Sequence, residues 1–357
     1  MAELVIRGGT VVDGTGAAPV RADVAVEGDR IVAVGEVDAP GARVIDAEGL
    51  LVTPGFVDIH THFDGQATWD PVLAPSSWHG VTTIAMGNCG VGFAPAHADR
   101  HDWLIGLLEG VEDIPGTALA EGLTWDWETF PQYLDAIGRR RYTVDIGVHV
   151  PHAALRTYVM GERGADHLAV PTDTEVSAMV RMMDEAMSAG AMGFATSRTE
   201  VHRTRDGQNI GTLAAGEREL LAFAEVLRRQ GRGVTQLISD CYQTTDDDYA
   251  NAELDLIEAF ARTSGRPLSF TVQQPFHAPE RWRFIFDRIA RARASGADIK
   301  AQVAPRPIGV LLGLEATIHP FVVCPSYREV AALPLATRVV ALRDPALRAR
   351  ILEEHPV

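Results

Sequence analysis

Lysine is almost missing from this chain: Lys300 is the single lysine among 357 residues, and Arg supplies the rest of the basic side chains. Cysteine is nearly as scarce. Cys89, Cys241 and Cys324 are three in number and share no short repeat spacing, which excludes a disulfide framework and makes a reducing, cytoplasmic setting the expectation. No apolar run approaches the roughly 20 residues needed to cross a bilayer, so no membrane partner is expected. The opening Met1-Ala2-Glu3-Leu4 has neither a basic stretch nor a long apolar one, so a secretory leader is not expected either. No strand is followed by G-x-G-x-x-G, which leaves dinucleotide binding without support. Positive charge is outweighed as well. The formal net charge of −16 would repel a phosphate backbone, so nucleic acid is a poor partner.

What is present is a change of pattern near residue 50. Before it come short strands separated by turns: Leu4–Arg7, Thr10–Val12, Asp23–Val26 and Arg30–Val34, with Gly8-Gly9, Asp13-Gly14 and Gly28-Asp29 between them. Residues 1–50 therefore read as part of a small β domain without helices. From 51 to 357 short apolar runs alternate with helical patterns. Val81–Met86, Tyr142–Val148, Ala191–Ala195, Gly233–Ile238, Pro267–Val272 and Ile299–Val303 read as strands, after a first apolar segment at Leu51–Ile59. Helical spacing covers 172–189, opened by a Thr172-x-x-Glu175 capping box, and then 214–230, 246–263 and 279–294. Strand–helix alternation of this kind specifies parallel strands with right-handed crossovers. A closed barrel needs eight strands, and seven are counted.

The most informative stretch is Gly55-Phe56-Val57-Asp58-Ile59-His60-Thr61-His62. In a strand, residues i and i+2 project to one face, so both imidazoles can point at one ion above a barrel mouth. A single His near a strand end is more often structural; a His-x-His closing the first strand of a β/α array is far more specific. Met86-Gly87-Asn88-Cys89-Gly90 places a thiol directly after the second strand. A lone Cys is usually core, but active sites gather at the C-terminal ends of barrel strands, and thiolate suits a borderline-soft ion such as Zn²⁺.

Thr53-Pro54-Gly55-Phe56-Val57-Asp58-Ile59-His60-Thr61-His62 resembles the first-strand signature of the amidohydrolase superfamily. Arg7–Gly14 and Asp29–Gly35 are similar to its small β-sandwich. Val81-Thr82-Thr83 through Gly87-Asn88-Cys89-Gly90, Pro151–Arg156, Val159-Met160-Gly161 and Gly190–Ser197 follow the order of the N-acyl-D-amino-acid deacylase branch. The resemblance implies a (β/α)8 TIM-type barrel, here without its eighth strand, beside an N-terminal sandwich portion. It also implies that Cys89 ligates zinc with His60 and His62. Many relatives bridge two metals with a carboxylated lysine on the fourth strand. The fourth strand here ends Gly193-Phe194-Ala195-Thr196-Ser197 without one, which leaves Cys89 as the candidate. Cys241 and Cys324 are read as structural.

The activity implied is hydrolysis of a linear amide in a small-molecule N-acyl-D-amino acid, with one or two divalent ions, zinc above all, activating water. Two departures qualify it. The branch has ligating His at the ends of strands five and six, whereas Val234–Asp240 and Leu268–Gln274 contain none, and Gln236 falls where the first would be. His149, His152, His202 and His277 are read as structural or substrate-facing, and His152, Arg156, His202 and Gln236 are taken as candidate substrate contacts. The branch's general-base Asp ends strand eight and is expected beyond Val357, so the chain is read as the N-terminal part of a longer protein. The alternatives are another amidohydrolase, a cyclic amidase or a deaminase, and a barrel that has lost catalysis.

Overall fold

The computed structural model describes residues 2–112, 114–305, 309, 312–316 and 319–354. The chain divides into two compact units, Met1–Asp58 with Pro75–Thr83 and Ile59–Ala74 with Ile84–Val357.

The first unit carries a sheet of β1 (Leu4–Val11), β2 (Val20–Glu27), β3 (Arg30–Gly35), β4 (Arg43–Asp46) and β5 (Leu51–Val52). Their order is β3-β2-β1-β4, with β5 also paired to β1. The two short strands expected at Leu4–Arg7 and Thr10–Val12 are one strand. The Gly8-Gly9 pair read as a turn is an irregularity in the β1–β2 register between Ile6 and Gly9, a bulge that bends a strand without ending it. Val11, Ala22 and Val24 form a small core with Ile6 and Val52.

The other sheet has seven strands in chain order: β6 (Phe56–Asp58), β7 (Val81–Met86), β8 (Asp145–Pro151), β9 (Gly193–Arg198), β10 (Val234–Ser239), β11 (Leu268–Thr271) and β12 (Ile299–Gln302). Pairing from β8 to β12 is parallel throughout. The helices are α1 (His101–Glu112), α2 (Gly116–Gly122), α3 (Phe130–Gly138), α4 (His152–Met160), α5 (Asp173–Ala189), α6 (Glu217–Gln230), α7 (Asp247–Ser264), α8 (Arg281–Ala294), α9 (Pro325–Ala331), α10 (Leu335–Ala341) and α11 (Pro345–Glu353). The strand count and the strand–helix alternation agree with the barrel expectation.

Local signals explain the crossovers. Thr172 and Glu175 form a reciprocal capping box on α5, and the Asp246 carboxylate accepts from the first-turn amides of α7. Each such cap stabilises its helix by about 1 kcal/mol. The sheet is covered by apolar helix faces. Phe194 of β9 is buried against Phe223 of α6 and Phe260 of α7, with ring centroids 4.7 and 6.1 Å away. Each such side chain contributes roughly 1.5–3 kcal/mol by leaving water. Cys324 lies in a separate small core with Tyr327, Val330, Leu347 and Ile351. Among the described residues, no helix is long and apolar enough to cross a membrane.

Candidate metal centre

His60 and His62 follow the end of β6. The strand itself stops at Asp58, so the two histidines are not strand residues as the i, i+2 argument supposed. The intervening residue keeps the geometry. Thr61 donates to Ala85 O through both its amide (3.0 Å) and its hydroxyl (2.7 Å), which ties the segment to β7. The two rings then lie with centroids 5.5 Å apart. His60 Nδ1 meets Gln302 Oε1 at 2.9 Å, and the Gln302 amide nitrogen donates to Ser269 Oγ at 2.9 Å. With the glutamine orientation fixed, Nδ1 carries the proton and Nε2 is left as the donor nitrogen. That nitrogen is 3.2 Å from Cys89 Sγ.

Cys89 is held by three features. Asn88 donates to Thr61 O at 3.1 Å and to Ala85 O at 2.8 Å. Gly87 has φ +79°, and a Cβ there would stand 2.3 Å from His149 O. The Cys89 amide donates to Gln236 Oε1 at 2.7 Å. Cys89 itself has φ +55°, a left-handed conformation costing an L-residue roughly 1–2 kcal/mol. Strain of this kind persists where the surroundings over-determine it, often at a functional site.

The ligating atoms of His60, His62 and Cys89 all lie within 4.8 Å of one another. His62 Nε2 is also 3.0 Å from Glu112 Oε1, at the end of α1. Burial, with the neighbouring His60 and His202, holds the His62 imidazole well below its ordinary range. Burial also drives the Cys89 thiol up, and the Glu112 and Asp64 carboxylates add to it. The same causes place His149 and His202 at about 3, burial first and then His60. Asp64 is pushed up to about 7 by burial, against backbone hydrogen bonds.

This donor set fits a metal ion. Neutral imidazoles are the form that binds metal, and a thiol raised by burial and then by nearby carboxylates is one that a bound cation would deprotonate. Among the described residues, the buried His62 Nδ1 has no hydrogen-bond partner. Two nitrogens and a sulfur suit zinc.

The structure places the other candidates as follows. Gln236 grips the Cys89 backbone, with its Nε2 buried and unpartnered among the described residues. His202 is buried, with Nδ1 on Ser197 Oγ at 2.8 Å. His152 and Arg156 are not brought to this cluster. They are engaged by the buried Glu219, at 2.9 Å from His152 Nε2 and with two contacts of 2.7 and 2.6 Å from Arg156. His152 Nδ1 meets Thr196 Oγ1 at 2.8 Å, so both side chains are engaged within the protein. His277 contacts the Gln243 carbonyl. Lys300 is exposed and paired with Asp298. Cys241 and Cys324 are buried and free. The sequence reading missed Glu112, Asp64 and Gln302. Asp64 alone left a signal, as the next alternate residue after His60 and His62.

The amidohydrolase family model (Amidohydro_3) matches residues 43–354. The chain belongs to the amidohydrolase family. It is 33% identical over 313 residues to an N-acyl-D-glutamate deacylase of Alcaligenes xylosoxydans xylosoxydans, covering 85% of the chain and 57% of the relative. Identity is 38% over 196 residues to a D-aminoacylase of the same organism, covering 54% and 37%. An uncharacterised protein of Mycobacterium tuberculosis is 34% identical over 241 residues, covering 64% and 39%. Among solved structures, D-aminoacylase studied for the role of its binuclear metal center matches with a TM-score of 0.69 at 29% identity, over 86% of this chain and 59% of that one. The N-acyl-D-glutamate deacylase of Bordetella bronchiseptica, complexed with zinc and a phosphonate inhibitor, matches with a TM-score of 0.68 at 29% identity over the same shares. The amidohydrolase chain described here therefore spans less than two thirds of the length of these relatives.

Proposed function

We propose that this amidohydrolase hydrolyses the linear amide of an N-acyl-D-amino acid, using a divalent ion held by His60, His62 and Cys89. The observation that carries the reading is the convergence of those three ligating atoms within 4.8 Å. A zinc ion bound there supplies Lewis acidity toward the amide carbonyl and activates water near neutral pH. The chain's own residues do the positioning. Gln302 fixes the His60 tautomer, and Asn88 and Gln236 fix the Cys89 backbone. Burial keeps His62 neutral and so available to an ion. The similarity to deacylases in sequence and structure supports the substrate class.

The test is release of free amine by the full-length protein, which would supply the general-base Asp, from a panel of N-acetyl-D- and N-acetyl-L-amino acids, before and after chelation and zinc return. Turnover of D-amides that is lost on chelation and restored by zinc is expected. Turnover of cyclic amides alone would replace the substrate class. Turnover of D-amides that survives complete metal removal would overturn the mechanism.

A further inference from the structure

We infer that Glu112 is a positioning residue: its carboxylate accepts a hydrogen bond from Nε2 of His62, so that His62 meets an ion through Nδ1 while His60 uses Nε2. The inference rests on the site at His60, His62 and Cys89, and deepens that reading.

His62 Nε2 lies 3.0 Å from Glu112 Oε1, with side chains 13% and 22% exposed. An ionised carboxylate can only accept. A neutral His62 therefore carries its one proton on Nε2 and its lone pair on Nδ1. Nδ1 is the atom that is buried without a hydrogen-bond partner among the described residues. A buried acceptor in that state is costly, and a cation would satisfy it. His60 is arranged the other way round. Its Nδ1 meets Gln302 Oε1 at 2.9 Å, and its Nε2 is 3.2 Å from Cys89 Sγ. The two tilted rings, 5.5 Å apart, thus offer opposite nitrogens.

Helix stability does not explain Glu112. It is the last residue of α1, and the C-terminal end of a helix is the unfavourable end for a carboxylate. The helix end is nevertheless held firmly. Gly110 touches the loop after β9 so closely that a Cβ there would be 2.3 Å from Arg203 O. The Arg205 amide donates to Gly106 O at 3.1 Å. On the other side, the Gly116 amide donates to Glu109 Oε1 at 3.0 Å. Leu104, Ile105, Leu107 and Leu108 are buried. The carboxylate is therefore carried to His62 by a helix fixed independently of it.

A carboxylate behind a ligating imidazole fixes its tautomer and ring orientation and raises its basicity. The neutral amide of Gln302 orients His60 but adds no charge. His62 is accordingly the stronger imidazole donor of the pair. Direct ligation by the Glu112 carboxylate is the competing role, since its oxygen lies within 4.8 Å of the Cys89 sulfur.

The experiment reads the ligating atom and the affinity. The full-length protein is stripped with chelator, reloaded with Zn²⁺ and crystallised. His62 Nδ1 should lie about 2.0–2.1 Å from the ion, with Nε2 on Glu112 and with His60 bound through Nε2. Zinc affinity is then measured by competition with a chromophoric chelator. Glu112→Leu should weaken it roughly 10- to 100-fold, with an unchanged far-UV circular dichroism spectrum. Glu112→Gln keeps an acceptor oxygen without the charge and should fall between Glu112→Leu and the unaltered protein. Zinc on His62 Nε2, zinc on the Glu112 carboxylate, or full affinity in Glu112→Leu would each overturn the positioning role while leaving the site in place. Zinc bound away from His60, His62 and Cys89 would remove the site itself, and this inference with it. Should Glu112→Leu lose its fold, the ligating atom in the unaltered protein and the affinity of Glu112→Gln decide the matter.

Discussion

The backbone amide of Cys89 donates a hydrogen bond of 2.7 Å to the side-chain carbonyl of Gln236. A residue at the end of the second strand of the large sheet is thereby clamped by one on the fifth. Both groups are buried, and a buried amide left unsatisfied costs about 1–3 kcal/mol. Gln236→Ala should destabilise the chain by that amount. It should also weaken metal binding by roughly 10- to 100-fold, the usual effect of removing a group that orients a ligand. Thermal melting and a zinc competition assay measure the two. An unchanged zinc affinity with reduced stability would confine Gln236 to a packing role.

Cys89 combines a ligand atom with a strained backbone, and substitution separates the two. In the metal-free protein, Cys89→Gly should be more stable than Cys89→Ala by roughly 1 kcal/mol, because glycine accepts the φ of +55° without a Cβ clash. Both variants should lose the thiolate charge-transfer band of the Co²⁺-loaded protein. Chemical denaturation of the two stripped variants gives the comparison. Equal stability would mean that the loop relaxes in the alanine variant and that the strain is not retained.

Much of the fold was legible because local chemistry and tertiary demand agree. Thr172 and Glu175 announce α5, and Val81–Met86 is apolar enough to mark β7 to the residue. His60 and His62 were found by alternation, although the strand had already ended at Asp58; the Thr61 bonds to Ala85 preserve the alternation beyond it. Glu112 was not legible. It closes a helix whose apolar face gives no sign of what stands at its end, and its partner His62 is 50 residues away. Gln302 was hidden likewise, since its value lies in a contact across 242 residues with His60. His152 and Arg156 lie in a buried ion-pair network, which uses the same side chains as a substrate clamp. Their partner Glu219, on α6, was not foreseen.

Asp64 supplies a dependence on pH. Burial raises its carboxyl from 3.8 to about 7, so the folded chain holds a proton that the unfolded chain releases. The associated stability is full below pH 3.8 and is lost as pH rises through 7. The stripped protein should therefore melt at lower temperature at pH 8 than at pH 5.5, and Asp64→Asn should flatten that difference. Melting curves across this range, recorded with chelator present, test it. A parallel pH profile for the two proteins would show that Asp64 is charged throughout.

The Glu219 network gives a prediction away from the metal. Arg156 and Glu219 are almost fully buried, at 1% and 2% exposure, and Glu219 also meets His152. Removing the carboxylate strands a guanidinium in the interior, so Glu219→Gln should cost about 3–5 kcal/mol. Replacing both partners by apolar groups, as in Arg156→Met/Glu219→Leu, should recover most of that loss, because no buried charge remains. Burial alone would raise the Glu219 carboxyl, but the His152 hydrogen bond and the Arg156 guanidinium outweigh it and hold it below its ordinary 4.5. Its contribution is present above pH 4.5 and disappears as pH falls through the lowered value. The stability gap between the unaltered chain and Glu219→Gln should accordingly narrow on acidification below 4.5. Zinc stoichiometry should be the same in all three proteins, since neither His152 nor Arg156 reaches the cluster. A lost zinc equivalent in the refolded double variant would place this network in the metal site after all.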